Sequence, residues 1–391
     1  MPLNPALSNW KPDAAAGAPG RVVIPAARLD ELVQALKRRG YLVHAPVLAH
    51  GALVIRPIES AAELPRGVVD EQSPGTYRIT RKGDRFFDYT VPADSWKRLF
   101  FPARLVMWRA SLKDGKVTTA EERDSNAPLA LLGVRGCDLE AILIQDRVFI
   151  GGDHPDPHYR ARRENAFIVA VNCARSTSTC FCPSMQAGPR ARRGYDLAIT
   201  EIDEGGHRFV VEAATENGRE LVAGLFTETA STADIELAES TVAATAASIT
   251  RTMPPSIAAT LRGAQASPRW QSIAERCLSC GNCTMVCPTC FCSAVEDTSD
   301  LAGTAKHERR WDSCFNSGHS YIHGGSVRAS TAPRYRQWLT HKLSTWHDQF
   351  DTAGCSGCGR CIAWCPVAID ITQEAHAFTA EAAASAGGAN T

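Results

Sequence analysis

Two stretches of this sequence place cysteines at intervals that suit metal chemistry. Cys277-Leu-Ser-Cys280-Gly-Asn-Cys283-Thr-Met-Val-Cys287-Pro288 and Cys355-Ser-Gly-Cys358-Gly-Arg-Cys361-Ile-Ala-Trp-Cys365-Pro366 both read C-x2-C-x2-C-x3-C-P. Thiolates are soft ligands. Three of them spaced in this way can wrap one corner of an iron-sulfur cube while the turns between them aim backbone N–H groups at its sulfides. Gly281 and Gly359 keep each turn free of a side chain that would crowd this approach. Cys287 and Cys365 each precede a proline, which confines the cysteine to extended or turn backbone and directs its thiolate away from the three before it.

The spacing is that of bacterial-type ferredoxins with two 4Fe-4S clusters, in which the fourth cysteine of each run serves the other cluster. It predicts one cluster on Cys277, Cys280, Cys283 and Cys365, and a second on Cys355, Cys358, Cys361 and Cys287. Crossed ligation sets the runs side by side, so the 67 residues from 288 to 354 are expected to loop out as a module of their own. Four thiolates also suit structural zinc. Zinc ribbons, however, pair two C-x2-C knuckles and need neither the third cysteine nor the closing Cys-Pro.

Seven of the fifteen cysteines lie outside the runs: Cys137, Cys173, Cys180, Cys182, Cys290, Cys292 and Cys314. Thr179-Cys-Phe-Cys182 and Thr289-Cys-Phe-Cys292 repeat the same four letters. Cys137, Cys173, Cys180 and Cys182 form a candidate additional metal or cluster site, with Cys137 at a helix start that would lower its thiol pKa. The alternative is that these are small buried hydrophobes lining the cluster pockets. Packing beside the first cluster is the expectation for Cys290, Cys292 and Cys314. Trp364 is expected to shield Cys365 from water. His154, His158 and the clusters Arg160, Arg162, Arg163 and Arg190, Arg192, Arg193 are expected on solvated loop faces, with docking of an acidic partner as the second reading for the arginines.

Positioning these residues requires a folded frame. Leu29, Leu32, Val33 and Leu36 recur at helical spacing and end at Gly40, which predicts an amphipathic helix over 28–40. Tyr41–His44 and Ala52–Ile55 read as strands. Leu129–Val134 reads as a buried strand, Arg135–Asp138 as a turn with a helix cap, Leu139–Phe149 as a helix and Ala166–Asn172 as the next strand, giving a β-α-β unit. A hairpin follows over 195–212, then a helical stretch over 216–262. A short helix leads into Cys277, and Tyr335–Phe350 reads as a helix beside the clusters. The expected organisation is a flexible arm (1–20), a mixed α/β domain (21–227), a helical linker (228–268), an α+β two-cluster ferredoxin-like domain (269–378) with a helical insert (288–354), and a flexible tail (379–391).

Formal charge is zero, with 42 basic and 42 acidic residues, so no general attraction to nucleic acid or anionic membrane is implied. No signal-peptide pattern opens the sequence, and no apolar run approaches the roughly 20 residues a membrane helix needs. An odd number of surplus cysteines and an iron-sulfur motif point to a reducing, cytoplasmic setting.

Further segments carry a resemblance: Gly133-Val-Arg-Gly-Cys137-Asp-Leu-Glu-Ala141, Asn172-Cys173 through Cys180-Phe-Cys182-Pro-Ser-Met185, Gly194-Tyr-Asp-Leu197, Cys287-Pro-Thr-Cys290-Phe-Cys292, Trp311-Asp-Ser-Cys314 and Cys365-Pro-Val-Ala-Ile-Asp370. Over about residues 75–375 the chain resembles the beta, iron-sulfur subunit of sulfhydrogenase-type NAD(P)-linked nickel-iron hydrogenases and the related iron-sulfur subunit of anaerobic sulfite reductase. The resemblance implies a non-catalytic electron-transfer subunit. It would relay single electrons between a flavin subunit handling NAD(P)H and a catalytic nickel-iron subunit, or a siroheme subunit in the sulfite reductase alternative. No Gly-x-Gly-x-x-Gly opens a helix after a strand, so no flavin or nicotinamide site of its own is expected. A redox sensor or scaffold with structural clusters is the reading from a different class.

Overall fold

The computed structural model describes residues 20–121, 127–225 and 227–388. The arm expected over 1–20 therefore lies, but for its last residue, outside the described residues. The strands in chain order are β1 (Arg21–Pro25), β2 (Leu42–Ala49), β3 (Ala52–Pro57), β4 (Val68–Ser73), β5 (Thr76–Arg81), β6 (Arg104–Lys113) and β7 (Lys116–Glu121). They continue with β8 (Leu129–Val134), β9 (Phe167–Val171), β10 (Leu197–Ile202), β11 (Arg208–Ala213), β12 (Glu228–Thr229), β13 (Ser293–Ser299) and β14 (Thr304–Trp311).

Eight of them form a mixed sheet in the order β12-β1-β11-β10-β9-β8-β2-β3. Strands β2, β8, β9 and β10 run parallel, and the outer pairings are antiparallel. The sequences of β8, β9 and β10 are nearly continuous apolar runs because both faces of these strands are covered. Helix Leu29–Arg38 covers one face with Leu29, Leu32, Val33 and Leu36, all buried. Helices Gly136–Phe149 and Pro157–Glu164 cover the other, where Leu139, Ile142 and Tyr159 pack with Leu131, Ile168 and Ala198. At Gly133 (φ +104°) β8 is bulged, and a Cβ there would stand 3.1 Å from Pro46 Cδ.

The β-α-β unit and the hairpin of β10 and β11 match the sequence reading. The insert does not form a module of its own. Its hairpin of β13 and β14 docks on β6, with Ala305 opposite Ala110 and Arg310 opposite Arg104, completing a four-stranded sheet β13-β14-β6-β7. The free edge of β6 needed a partner, and residues 293–311 supply it from nearly two hundred residues downstream. The insert is thus part strand as well as helical.

Residues 331–350 form one helical stretch interrupted by a π-turn at His341–Thr345. Tyr335, Trp338, Leu339 and Leu343 bury against Trp270, Ile273, Phe315 and Phe378 in a second core. The expected flexible tail is instead, over 379–388, the end of helix Ile371–Gly388, and 389–391 lie outside the described residues. Alanine is the strongest helix former, and Arg269 pairs with Glu381 at 2.9 Å. Arg163 also departs from the solvated-face reading: it is buried and grips Asp146 through Nε at 3.1 Å to both oxygens. Arg190 and Arg193 pair with Glu212 and Glu140, each at 2.9 Å. Among the described residues no helix is long and apolar enough to cross a membrane.

Candidate metal centre

Each cysteine run turns through a left-handed glycine into a one-turn helix: Gly281 (φ +77°) before Asn282–Met285, and Gly359 (φ +79°) before Arg360–Ala363. The two short helices lie against each other and place the third cysteine of each run, Cys283 and Cys361, on facing turns. Close packing of protein on protein is what these glycines permit here. A Cβ at Gly359 would stand 2.4 Å from the Thr179 carbonyl oxygen, and one at Gly281 3.2 Å from Ser313 Oγ. Backbone N–H groups are aimed at the sulfurs. Ser279 N donates to Cys277 Sγ at 3.4 Å, Gly357 N to Cys355 Sγ at 3.5 Å and Ile369 N to Cys365 Sγ at 3.3 Å.

The two runs come together. Cys283 lies within the electrostatic reach of Cys277, Cys365 and Cys280 and also of Cys287, and Cys277 within that of Cys365 and Cys280. Cys355, Cys358 and Cys361 each lie within reach of Cys287, and Cys361 within that of Cys283 as well. An apolar cleft lined by Cys277, Cys280, Cys283 and Cys365, with Cys361 at its edge, is walled by Phe315, Tyr335, Trp338, Ile369 and Ile371. Burial pushes the thiols of Cys277, Cys283, Cys358 and Cys361 up, and that of Cys355 to about 12. Protons so held are the ones that metal binding releases.

The environments of the two sets differ. Cys280 is exposed, whereas Cys287 is buried. A hydrogen bond with Cys290 holds the Cys287 thiol well below the usual range despite burial, with the Lys342 ammonium assisting. Lys342 projects from the π-turn, fully enclosed, and donates to Cys287 Sγ, Thr289 Oγ1 and the Gly354 carbonyl. π-Turns of this kind recur at functional sites because they re-aim one side chain. Lys97 is likewise buried, donating to the Cys290 carbonyl at 3.1 Å with its ammonium 3.8 Å from the centre of the Trp311 ring. Neither lysine stands out in the sequence: Lys342 falls within the helix read over 335–350, and no element was read around Lys97.

A further pair escaped the sequence reading. Arg360, in the second run, forks onto Asp138 at 2.5 and 2.9 Å, and donates to the carbonyls of Pro92 and Asp94 at 2.6 and 3.2 Å. Both side chains are essentially excluded from solvent. Asp138 therefore does not cap its helix. That helix begins at Gly136 with Arg135 before it and no side-chain cap. The ion pair ties the second run to the large sheet's helix layer.

Cys137, Cys173, Cys180 and Cys182 converge where β8 and β9 end, and they adjoin Cys358 of the second run. Burial, followed by Asp138, pushes the Cys137 thiol well up, so the lowering expected from its helix start is outweighed. Cys290, Cys292 and Cys314 pack in or against the second core. Cys292 hydrogen-bonds with Cys314 and His319, and its thiol is lowered to about 4. His319 in turn meets Asp312 at 2.7 Å. Trp364 packs on Tyr77, ring centres 4.9 Å apart.

Residues 276–369 match the family model of the 4Fe-4S dicluster domain. The chain is also 34% identical, over 291 residues, to sulfhydrogenase 2 subunit beta of Pyrococcus furiosus, an alignment that spans 72% of this chain and 82% of that protein. The shared length exceeds that of the dicluster domain and so takes in a large part of the α/β frame. The two-cluster fold expected from the spacing is thus matched by an independent family model, and the chain belongs to the sulfhydrogenase beta-subunit family.

Proposed function

We propose that this chain relays single electrons through two 4Fe-4S clusters, one held by Cys277, Cys280, Cys283 and Cys365 and the other by Cys355, Cys358, Cys361 and Cys287. It does so between a flavin subunit that handles NAD(P)H and the catalytic nickel-iron subunit of a hydrogenase complex. The observation that supports this is the single cleft lined by Cys277, Cys280 and Cys283 of one run together with Cys365 of the other. The relative's name, subunit beta of a sulfhydrogenase, supports the assignment to such a complex. Each cluster would supply reversible one-electron uptake.

The chain's own residues bind, shield and bias. Eight thiolates bind. Phe315, Tyr335, Trp338 and Ile371 exclude water from the first set. The N–H groups of Ser279, Gly357 and Ile369 stabilise negative charge on the sulfurs to which they donate. Exposed Cys280 brings the first set to the surface, beside Leu278, an apolar side chain 63% exposed, where a partner subunit would exchange electrons. Anaerobic purification with native partners tests this. A nickel-iron partner and cluster reduction by NAD(P)H through a flavoprotein support it. A siroheme partner would move the chain to the sulfite reductase branch, and clusters that resist dithionite would make them structural.

A further inference from the structure

The C-terminal ends of the adjacent parallel strands β8 and β9 each release a cysteine: Cys137 follows β8 at the start of helix Gly136–Phe149, and Cys173 follows β9. The segment after Cys173 folds back on the same corner. Cys173 N donates to the Pro189 carbonyl at 3.2 Å, and Ala187 N to the Cys182 carbonyl at 3.0 Å. Gly188 presses on both walls, for a Cβ there would stand 3.0 Å from Cys182 Sγ and 3.5 Å from Cys137 N. Cys180 completes the group and is held from outside by Thr177 Oγ1 at 3.4 Å. The loop is also clamped from the second run, with Phe181 N donating to the Gly357 carbonyl at 3.0 Å.

One further side chain points to an anionic occupant. Arg135 is 1% exposed, yet its direct partners are the carbonyls of Phe87 at 2.8 Å, Tyr89 at 2.5 Å and Asn172 at 3.4 Å. Its Nε has no hydrogen-bond partner, and no carboxylate pairs with it among the described residues. The guanidinium lies against Cys173. Asp70 and Glu201 act on Arg135 only from beyond hydrogen-bond distance, so no carboxylate neutralises it directly, and its charge is permanent. Four thiolates carrying an iron-sulfur core are a net anion, and the helix N-terminus at Gly136 favours the same sign.

We infer that Cys137, Cys173, Cys180 and Cys182 hold a third iron-sulfur cube, with Arg135 as its buried counter-charge. The inference rests on the relay proposed above and extends it. The corner adjoins Cys358, so the third cube continues the line from the exposed first set through the buried second set into the α/β domain. One electron passes from the neighbouring cluster to this one and onward, and no bond is made or broken. Cys137 and Cys182 lie beside Cys173, Cys180 and Cys358, and four thiolates are the same donor set that each of the two runs' clusters would take.

The test is iron and acid-labile sulfide per full-length chain, purified anaerobically without partner subunits. About twelve of each are expected, falling to about eight in Cys180→Ser/Cys182→Ser with the resonances of the other two clusters unchanged. Cys173→Ser, on a separate segment, serves as a second variant and is expected to give the same loss. About eight irons in the unmodified chain, with or without one zinc, would overturn the third cube and leave the two-cluster relay standing. Retention of about twelve in both variants would overturn the ligand set. A colourless, iron-free chain would remove the relay as well.

Discussion

The Lys342 ammonium nitrogen stands 3.3 Å from the Cys287 sulfur, 2.8 Å from the Gly354 carbonyl and 3.1 Å from Thr289 Oγ1, on a side chain buried from solvent. A fixed positive charge at a ligand sulfur favours the reduced, more negative state of the cluster that sulfur would hold. Lys342→Met is expected to lower the potential of that cluster by on the order of 100 mV, the scale of a near charge in a protein interior. Redox titration followed by electron paramagnetic resonance reads this directly. An unchanged potential with the cluster intact would refute the role, and Lys342→Arg is expected to restore most of the shift.

The proposed crossed ligation separates the effects of two serine variants. Cys365→Ser is expected to strip or convert the cluster of Cys277, Cys280 and Cys283 while leaving that of Cys355, Cys358 and Cys361. Cys287→Ser is expected to do the opposite. Spectra showing each variant damaging the cluster of its own run would contradict the grouping.

Asp138 and Arg360 neutralise each other in a dry site 222 residues apart in sequence. Asp138→Asn leaves the guanidinium uncompensated and is expected to cost about 3–5 kcal/mol, the usual loss on breaking a buried pair. Asp138→Leu combined with Arg360→Met removes both charges and is expected to recover much of that loss. Urea unfolding of both variants beside the parent chain gives the comparison.

Gly359 combines a left-handed backbone with a neighbour that cannot yield, since a Cβ would stand 2.4 Å from a main-chain oxygen at Thr179. Gly359→Ala is expected to cost about 1–3 kcal/mol from the backbone alone, plus the displacement of the 179–182 loop. Loss of the second cluster's signal at a temperature where the first persists would show that displacement. Gly263→Ala, where nothing lies within 4 Å, serves as the control.

His319 donates to Asp312 and Cys292, and its pKa is raised to about 9, first by the hydrogen bond with Cys292 and then by Asp312. The imidazolium is therefore expected to persist at pH 7.5, where a free histidine would be neutral. Nitrogen-detected NMR across pH 6–10 measures the midpoint. Asp312→Asn is expected to bring it down, and a midpoint near 6.5 in the parent chain would contradict the geometry.

The cysteine spacing made the two-cluster domain legible, because ligand intervals are a local property of sequence. Strands such as Leu129–Val134 were legible for a similar reason: continuous apolar runs mark strands covered on both faces. What stayed hidden depends on partners far along the chain. Nothing near Thr304–Trp311 says that it will pair with Arg104–Lys113, and nothing near Asp138 distinguishes a helix cap from half of a buried ion pair. Lys342 read as an ordinary position of the 335–350 helix until a π-turn enclosed it, and nothing near Lys97 foretold its burial against Trp311. The tail was misread because alanine-rich sequence suits loose chain and helix alike, and the contact of Glu381 with Arg269 selects the helix.

The small sheet also governs how such a chain can be made. Arg104 on β6 meets Glu308 on β14 across 204 residues, so during synthesis β6 waits on the order of 10–40 s for its neighbour to leave the ribosome. An open strand edge invites the wrong partner in that interval. Arg104, Arg109 and Lys113 along β6 set like charges against a second nascent copy, and they keep the edge single until the carboxy-terminal half arrives to claim it.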